Sequence, residues 1–286
     1  MTTATQASVR QRRGKRPGRW IVLALLLSLL VLMLAPIGLA FLNAVKTAAD
    51  YAANGPLAWP QSFSLHGLAD FWANVNFPRK LWNSLLLSAC AAIFGTALSL
   101  FNAYAIGIGR IRGGRVMLVL LLLGIMIPQE SLVYPLYYMS KSVGLFDSIW
   151  SVIIIFTVLQ SAFGTYLLSA VLSEFPREIL EAARVDGATR WQILFQVVLP
   201  ILRPTLGVLA TFFFIWTWNE FLLPLVLLAS NDNQTISVAM GVLRGQYVSD
   251  PTTAAAASLL GIAPTVVFFL IFQRTLTKGV VVGAVK

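Results

Sequence analysis

The chain has 286 residues, 58% hydrophobic and 11% charged, with a net charge of +10. A soluble globular domain carries about 25% charged residues, so the composition excludes a soluble core and points to an all-α, polytopic membrane protein. One cysteine, Cys90, and one histidine, His66, leave no internal disulfide, no thiol-based metal site and no His pair for catalysis.

About 20 apolar residues cross a bilayer core. Six segments qualify: 20–42, 81–106, 116–139, 149–172, 205–229 and 252–273. The chain opens with a basic tail, 1–19, holding six Lys and Arg between Arg10 and Arg19. The apolar run 20–42 is longer than a signal-peptide core and precedes five more, so it reads as an uncleaved signal anchor. A loop over 43–80 follows. Within it Leu65, Leu68, Phe71 and Trp72 have the spacing of a short amphipathic helix, either a platform for a partner or an interfacial anchor. His66 reads as a solvated surface histidine.

The core of the membrane domain is 81–273. Its first span carries small residues four apart, Ser84, Ser88 and Ala92, with Ala91, Gly95 and Ser99, which lets helix backbones approach closely. Pro128 and Pro224 fall within or near spans and mark kinks. Arg and Lys distribution sets the orientation. Sixteen of the 21 basic residues lie in the tails and in the loops around Arg110–Arg115 and Arg177–Arg203. Only Lys46, Arg79, Lys80, Lys141 and Arg244 lie on the other side. Both termini are therefore expected in the cytoplasm. The basic balance is topology, and no nucleic-acid partner is expected.

The longest cytoplasmic loop, 173–204, encodes a helix, a glycine corner and a second helix. Pro176 and Glu178 suit a helix start, which would run to about Val185. Gly187 fits the left-handed residue after its end. A second helix from Thr189 should stop at Pro200. Ala182 and Ala183 keep one face narrow enough to enter a groove on a soluble partner. Glu181 and Asp186 supply charge to orient it, and Arg177 can brace Glu181 at four-residue spacing.

Read as spacing, this loop is Glu181-Ala182-Ala183, three residues, Gly187, nine residues, then Val197-x-Leu199-Pro200. It resembles the EAA loop of the permease subunits of bacterial ABC importers, with Val197 where Ile is usual. Further pieces resemble the carbohydrate-uptake, maltose-permease-like branch. They are Asn83-Ser84, Ala103-Tyr104-Ala105, Ile127-Pro128, Tyr134-Pro135-Leu136-Tyr137, Trp218-Asn219-Glu220-Phe221 and the end Gly279-x3-Gly283-Ala284-Val285-Lys286. They cover the chain from about residue 80 onward.

The resemblance implies a bacterial inner-membrane importer with a second permease subunit forming a heterodimer. It further implies two ATPase subunits carrying ATP and Mg, and an extracytoplasmic solute-binding protein that delivers a neutral sugar or polyol. It assigns ATPase coupling to Glu181, Ala182, Ala183, Asp186, Gly187, Leu199 and Pro200. It assigns a contact with the ATPases to Gly283, Ala284, Val285 and Lys286 in the tail 274–286. The chain itself has no G-x-x-x-x-G-K-[ST] phosphate loop, so no cofactor is expected on it.

Two acidic residues sit in or beside spans, Glu130 and Glu220. A charge at the bilayer centre costs about 2.5–3.5 kcal/mol on insertion scales, so both should face the bundle interior, a watery path or the membrane edge. On a helix Phe213, Trp216, Glu220 and Pro224 share a face at three- and four-residue spacing. An aromatic face beside a carboxylate suits a sugar, with a ring against its C–H face and the carboxylate accepting from hydroxyls. Trp216, Asn219 and Glu220 are the candidate pathway residues, with helix packing as the alternative role. Phe212, Phe214 and Phe221 are read as lipid-facing or core. No Lys or Arg lies near a span centre, which disfavours an anionic substrate. Competing readings are a polyamine or anion permease, a stand-alone secondary transporter and a membrane enzyme. The motifs above oppose the first. The second lacks a convincing inverted repeat, and the third lacks a catalytic cluster.

Overall fold

A computed structural model describes residues 18–109, 111–246 and 250–284. The basic segment through residue 17, Arg110, and the terminal Val285 and Lys286 lie outside it. Five helices are long and apolar enough to cross a membrane, and a bent pair makes a sixth when it is counted as one span. The spans are α1 (Gly18–Ala44), α4 (Phe77–Gly107), α7 (Ile149–Ser173), α10 (Leu199–Asn219) and α13 (Pro251–Ala284), with the bent pair at α5 (Gly114–Met126). The number agrees with the sequence reading. Two spans differ from it in shape.

The centre of the bundle is α4 packed on α7 and α10. The small residues of α4 make this packing close. Ser88, Ala91, Ala92, Gly95 and Ser99 are buried, and they face Ser161, Gly164 and Thr165 of α7, also buried. A Cβ on Gly164 would lie 2.8 Å from Ser99 Cβ and 3.0 Å from the Phe213 ring. Within lipid the gain comes from van der Waals contact rather than from leaving water. Polar residues join the same seam. Gln160 donates to Thr217 Oγ1 at 2.7 Å and Ser99 donates to the Gly95 carbonyl at 2.6 Å.

The expected kink at Pro128 is a turn of 93°. The residue before a proline is driven out of the helical region, and Ile127 is extended (φ −71°, ψ 123°). A 3₁₀ turn, Gln129–Leu132, then leads into α6 (Val133–Ser142). With 13 residues at about 1.5 Å each, α5 alone is shorter than the bilayer core. The fifth span, expected over 205–229 with a kink at Pro224, is also broken. Pro224 has no N–H for the carbonyl of Glu220 and its ring crowds that carbonyl. So α10 ends at Asn219, Glu220 is extended (φ −70°, ψ 135°), and α11 (Leu222–Leu227) begins afresh.

At one end of the bundle polar ties join distant segments. Buried Lys80, in the first turns of α4, donates to Asn231 Oδ1 at 2.6 Å. Asn83 donates to the carbonyls of Asp232 and Gln234. Asp147 accepts from Ser230 N–H at 2.9 Å. Burial tends to raise the Asp147 carboxyl, but hydrogen bonds from Ser230 and Asn233 outweigh it and hold it below the usual carboxylate value. The amphipathic segment in 43–80 forms α3 (His66–Asn74), after α2 (Ala48–Asn54). Its Phe71 is buried against Phe77 and its Gly67 lies against Thr252 of α13. The apolar face of α3 thus meets the protein through Phe71, while Trp72 is 46% exposed. His66 is exposed and pairs with Asp70 at 2.6 Å. A further helix, α12 (Ile236–Gln246), precedes α13.

Candidate functional site

The loop 173–204 folds into an elbow at the opposite end. Its first arm is α8 (Arg177–Val185), with Pro176 just before it and Glu178 in its first turn. Leu180 is buried, and Ala183 and Ala188 are half-buried against the bundle core. Glu181, Ala182, Asp186 and Gly187 are exposed, as is Val185 at 87%.

The corner has a defined hydrogen-bond pattern. Gly187 N–H donates to the Arg184 carbonyl at 3.0 Å and Ala188 N–H to the Ala183 carbonyl at 3.0 Å. These are the two bonds of a Schellman cap, with glycine in the left-handed conformation (φ 76°). The second alanine of Glu181-Ala182-Ala183 is therefore a structural residue. Its carbonyl closes the cap, and its side chain packs on the core with Ala188. Ala182 is exposed on the outer side of α8, and Glu181 is exposed at its edge.

The second arm starts where expected. Thr189 caps α9 (Arg190–Gln192) in a reciprocal pair with Gln192. It does not stop at Pro200. Helix continues from Arg190 to Asn219 through a π-helical turn, Ile193–Val198, where Leu199 N–H reaches the carbonyl of Leu194. The wider turn absorbs the N–H that Pro200 lacks. Leu199 is half-buried and Pro200 exposed, on the span rather than on the elbow. Tyr104, at the end of α4, donates to the Arg190 carbonyl at 2.8 Å and ties the elbow to the bundle. The expected Arg177–Glu181 ion pair is not formed. Both line a cavity of about 170 Å³ between α8 and the ends of α4 and α7.

A second cavity, about 280 Å³, lies where the two broken spans meet. Gln129 and Glu130 come from the break after α5; Trp216, Glu220, Leu222 and Leu223 come from the break after α10. Both intramembrane acids thus face one space, with no Lys or Arg lining it. Glu220 Oε1 accepts the Leu222 N–H at 3.1 Å, capping α11.

Of the candidate pathway residues, Trp216 and Glu220 come together here. Asn219 does not line the cavity; its side chain donates back to the Ile215 carbonyl at 2.7 Å. Phe213 does not share an open face with Trp216. It is fully buried between Gly95 and Gly164, and Pro224 is buried in α11. Phe214 stacks on Trp218 inside the bundle, while Phe212 and Phe221 are exposed. Gly283 and Ala284 continue α13 without a break. The part Gln129 and Glu130 take in the cavity was not assigned from sequence; the signal was a proline in each of two spans, each break carrying an acid. Among the described residues no cluster of His, Cys, Asp or Glu is placed to hold a metal.

Six helical crossings, an elbow built on a Schellman glycine and a cavity between two broken spans describe a transporter's membrane subunit. The chain belongs to the family of binding-protein-dependent transport system inner membrane components, whose model matches residues 95–282. It is similar to the lactose transport system permease protein LacG of Rhizobium radiobacter, 31% identical over 223 residues, covering 77% of this chain and 79% of that one. It is 34% identical over 212 residues to the trehalose transport system permease protein SugB of Mycobacterium tuberculosis, covering 73% and 77%. Among solved structures it resembles a bacterial ABC transporter involved in import of the acidic polysaccharide alginate. That match has a TM-score of 0.73 at 21% identity and covers 95% of this chain and 99% of that one; it speaks to the fold. The chain is a permease subunit of an ABC importer.

Proposed function

We propose that this subunit forms half of the membrane pathway for a sugar or oligosaccharide. The observation that carries this reading is the cavity where Trp216, Glu220 and Glu130 converge at the two broken spans. A ring and carboxylates around a space of sugar size fit a polyhydroxylated solute. The absence of a cation from the lining favours an uncharged sugar or polyol over an anion. The names of the relatives, for lactose and trehalose among others, support the carbohydrate class.

In this proposal the elbow is the lever. Two partner ATPases, carrying ATP and Mg, each receive one elbow, ours and that of a second, different permease. The exposed surface of Glu181, Ala182, Val185, Asp186 and Gly187 enters the groove. ATP-driven closure draws the elbows together, and the continuous helix from Arg190 to Asn219 carries the motion to the cavity. This is a rigid-body switch between two packings. The cytoplasm lies on the elbow side, and the end held by Lys80, Asn83 and Asp147 meets the solute-binding protein. α13 ends at Gly283 and Ala284, on the way to the ATPases, and Val285 and Lys286 follow it in the sequence.

The test is an affinity pull-down of tagged chain from native membranes, wild type beside Glu181→Lys. Wild type should bring down an ATPase, a second permease and a binding protein, and the variant should lose the ATPase. The binding protein recovered is then titrated with a sugar panel to name the substrate. Recovery of the ATPase by the variant at wild-type level would remove Glu181 from the docking surface.

A further inference from the structure

The segment between α2 and α3 presents a row of apolar side chains to nothing in the protein. Leu57 is 76% exposed, Trp59 75%, Phe63 72% and Leu65 66%. From Tyr51 to Leu65 there is no charged residue. A solvated loop of this length ordinarily carries polar and charged side chains, and an exposed apolar patch marks a binding or membrane surface.

The loop is held in place from beneath by two buried charges. Lys46 is almost fully buried and donates to the carbonyls of Gly55, at 3.0 Å, and Pro56, at 3.4 Å. Asp50 accepts from Asn54 at 2.7 Å and from Gln61 N–H at 3.0 Å. Both ends of the apolar stretch 56–60 are thereby fixed, and Pro60 within it is buried. The apolar side chains are exposed on a braced loop and did not arise from lack of structure.

A further bond fixes its depth. Ser64 N–H donates to the Val45 carbonyl at 2.9 Å. Val45 is the residue after α1, whose apolar span ends at Ala44 and is not buried within the chain. Phe63 and Leu65 therefore flank a residue tied to the level at which α1 leaves the bilayer. Both side chains are exposed beside the end of a span whose apolar length is exposed as well. Trp and other apolar aromatics concentrate at this depth, where rings sit among headgroups.

We propose that residues 55–65 dip into the outer-leaflet interface, with Leu57, Trp59, Phe63 and Leu65 among the lipids. The interfacial anchor is this loop; α3 packs Phe71 on the bundle and leaves Trp72 half exposed beside it. Because the segment is uncharged, its insertion is apolar and indifferent to headgroup charge, unlike the basic anchors that bind anionic lipid. The loop then fixes the tilt and depth of α1.

The test uses the complete chain with its co-purifying subunits in nanodiscs. Cys90→Ala removes the native thiol. Leu57→Cys, Phe63→Cys and, as an aqueous control, Arg112→Cys are each labelled with an environment-sensitive fluorophore. Labels at 57 and 63 should be quenched several-fold more by spin-labelled lipid than by iodide, and the control the reverse. The pattern should be the same in phosphatidylcholine and in mixtures with phosphatidylglycerol. Quenching by iodide alone would make the loop aqueous and overturn the proposal. Shielding from both quenchers would place a protein partner on it, with the same consequence. Loss of lipid quenching on adding the binding protein would assign the surface to that partner. Labelling of the wild-type complex with a lipid-soluble carbene, read by mass spectrometry, should modify 55–65 without any substitution. Absence of that modification would count against insertion.

Discussion

The molecule interrupts its helices in two ways, and the two serve different surroundings. At the elbow the chain turns on Gly187, and the open carbonyls of α8 are closed by the next two backbone N–H groups. Every polar group is met locally or by water, so the corner can stand free on the surface. In the spans the chain breaks ahead of or at prolines, Pro128 and Pro224. There the freed groups have no water from lipid. They turn to a cavity, and a carboxylate, Glu220, supplies the missing cap. A glycine corner makes an exposed lever; a proline break makes a polar pocket inside an apolar bundle.

The largest effect in breaking this contrast is expected at Gly187. Gly187→Pro cannot adopt φ 76° and removes the donor to Arg184, so uptake should be abolished while insertion is intact. Gly187→Ala meets no atom within 4 Å and bears only the left-handed backbone penalty, about 1–2 kcal/mol; it should keep reduced uptake. Gly187→Asn should fall nearest to wild type. Equal uptake by the proline variant would sink the lever.

Next is the seam behind the cavity. Gly164→Val would overpack Ser99 and Phe213 and should lower the melting temperature in detergent, consistent with about 1–3 kcal/mol. Pairing it with Ser99→Gly should recover part of the loss. A variant as stable as wild type would show that α4 and α7 are less tightly joined than described.

Glu220 separates cap from charge. Glu220→Gln keeps an oxygen for Leu222 N–H, whereas Glu220→Leu keeps neither. Stability should fall by about 1 kcal/mol for Leu only, while uptake should fall for both. If Gln transports normally, the carboxylate is a cap and nothing more.

The smallest effect is at Asp147. Its carboxyl is held below the ordinary 3.8 in the folded chain. Its contribution is therefore complete above that value and is lost as pH falls through the lower folded one. Asp147→Asn should narrow the stability difference between neutral and acid solution, read by thermal unfolding. An unchanged pH dependence would remove the carboxylate from the tie between the two loops.

The crossings were legible because apolar runs of span length admit few other structures. The elbow was legible because Pro176, Gly187 and Thr189 each have one favoured place at a helix end. The path beyond Thr189 was not, since a proline ordinarily ends a helix and only the π turn at 193–198 lets this one pass. The shared face of Phe213, Trp216, Glu220 and Pro224 failed for the same class of reason. It carried helical spacing through the kink expected at Pro224, while the break falls four residues earlier, at Glu220. That the two breaks meet is a tertiary fact, absent from local spacing. So is the burial of Lys46 and Lys80, which sequence counted only as charge on one side.

The packing of α1 has a consequence for biogenesis. Its principal neighbour in the bundle is α13, which comes after all the other described helices in chain order. The first span therefore enters the membrane long before its docking site exists, while α4, α7 and α10 can already close on one another. For most of synthesis it is a free lateral helix held by its own loop. Cysteines placed at facing positions of α1 and α13 should cross-link in the full chain, and a chain truncated before Pro251 should leave α1 without that partner.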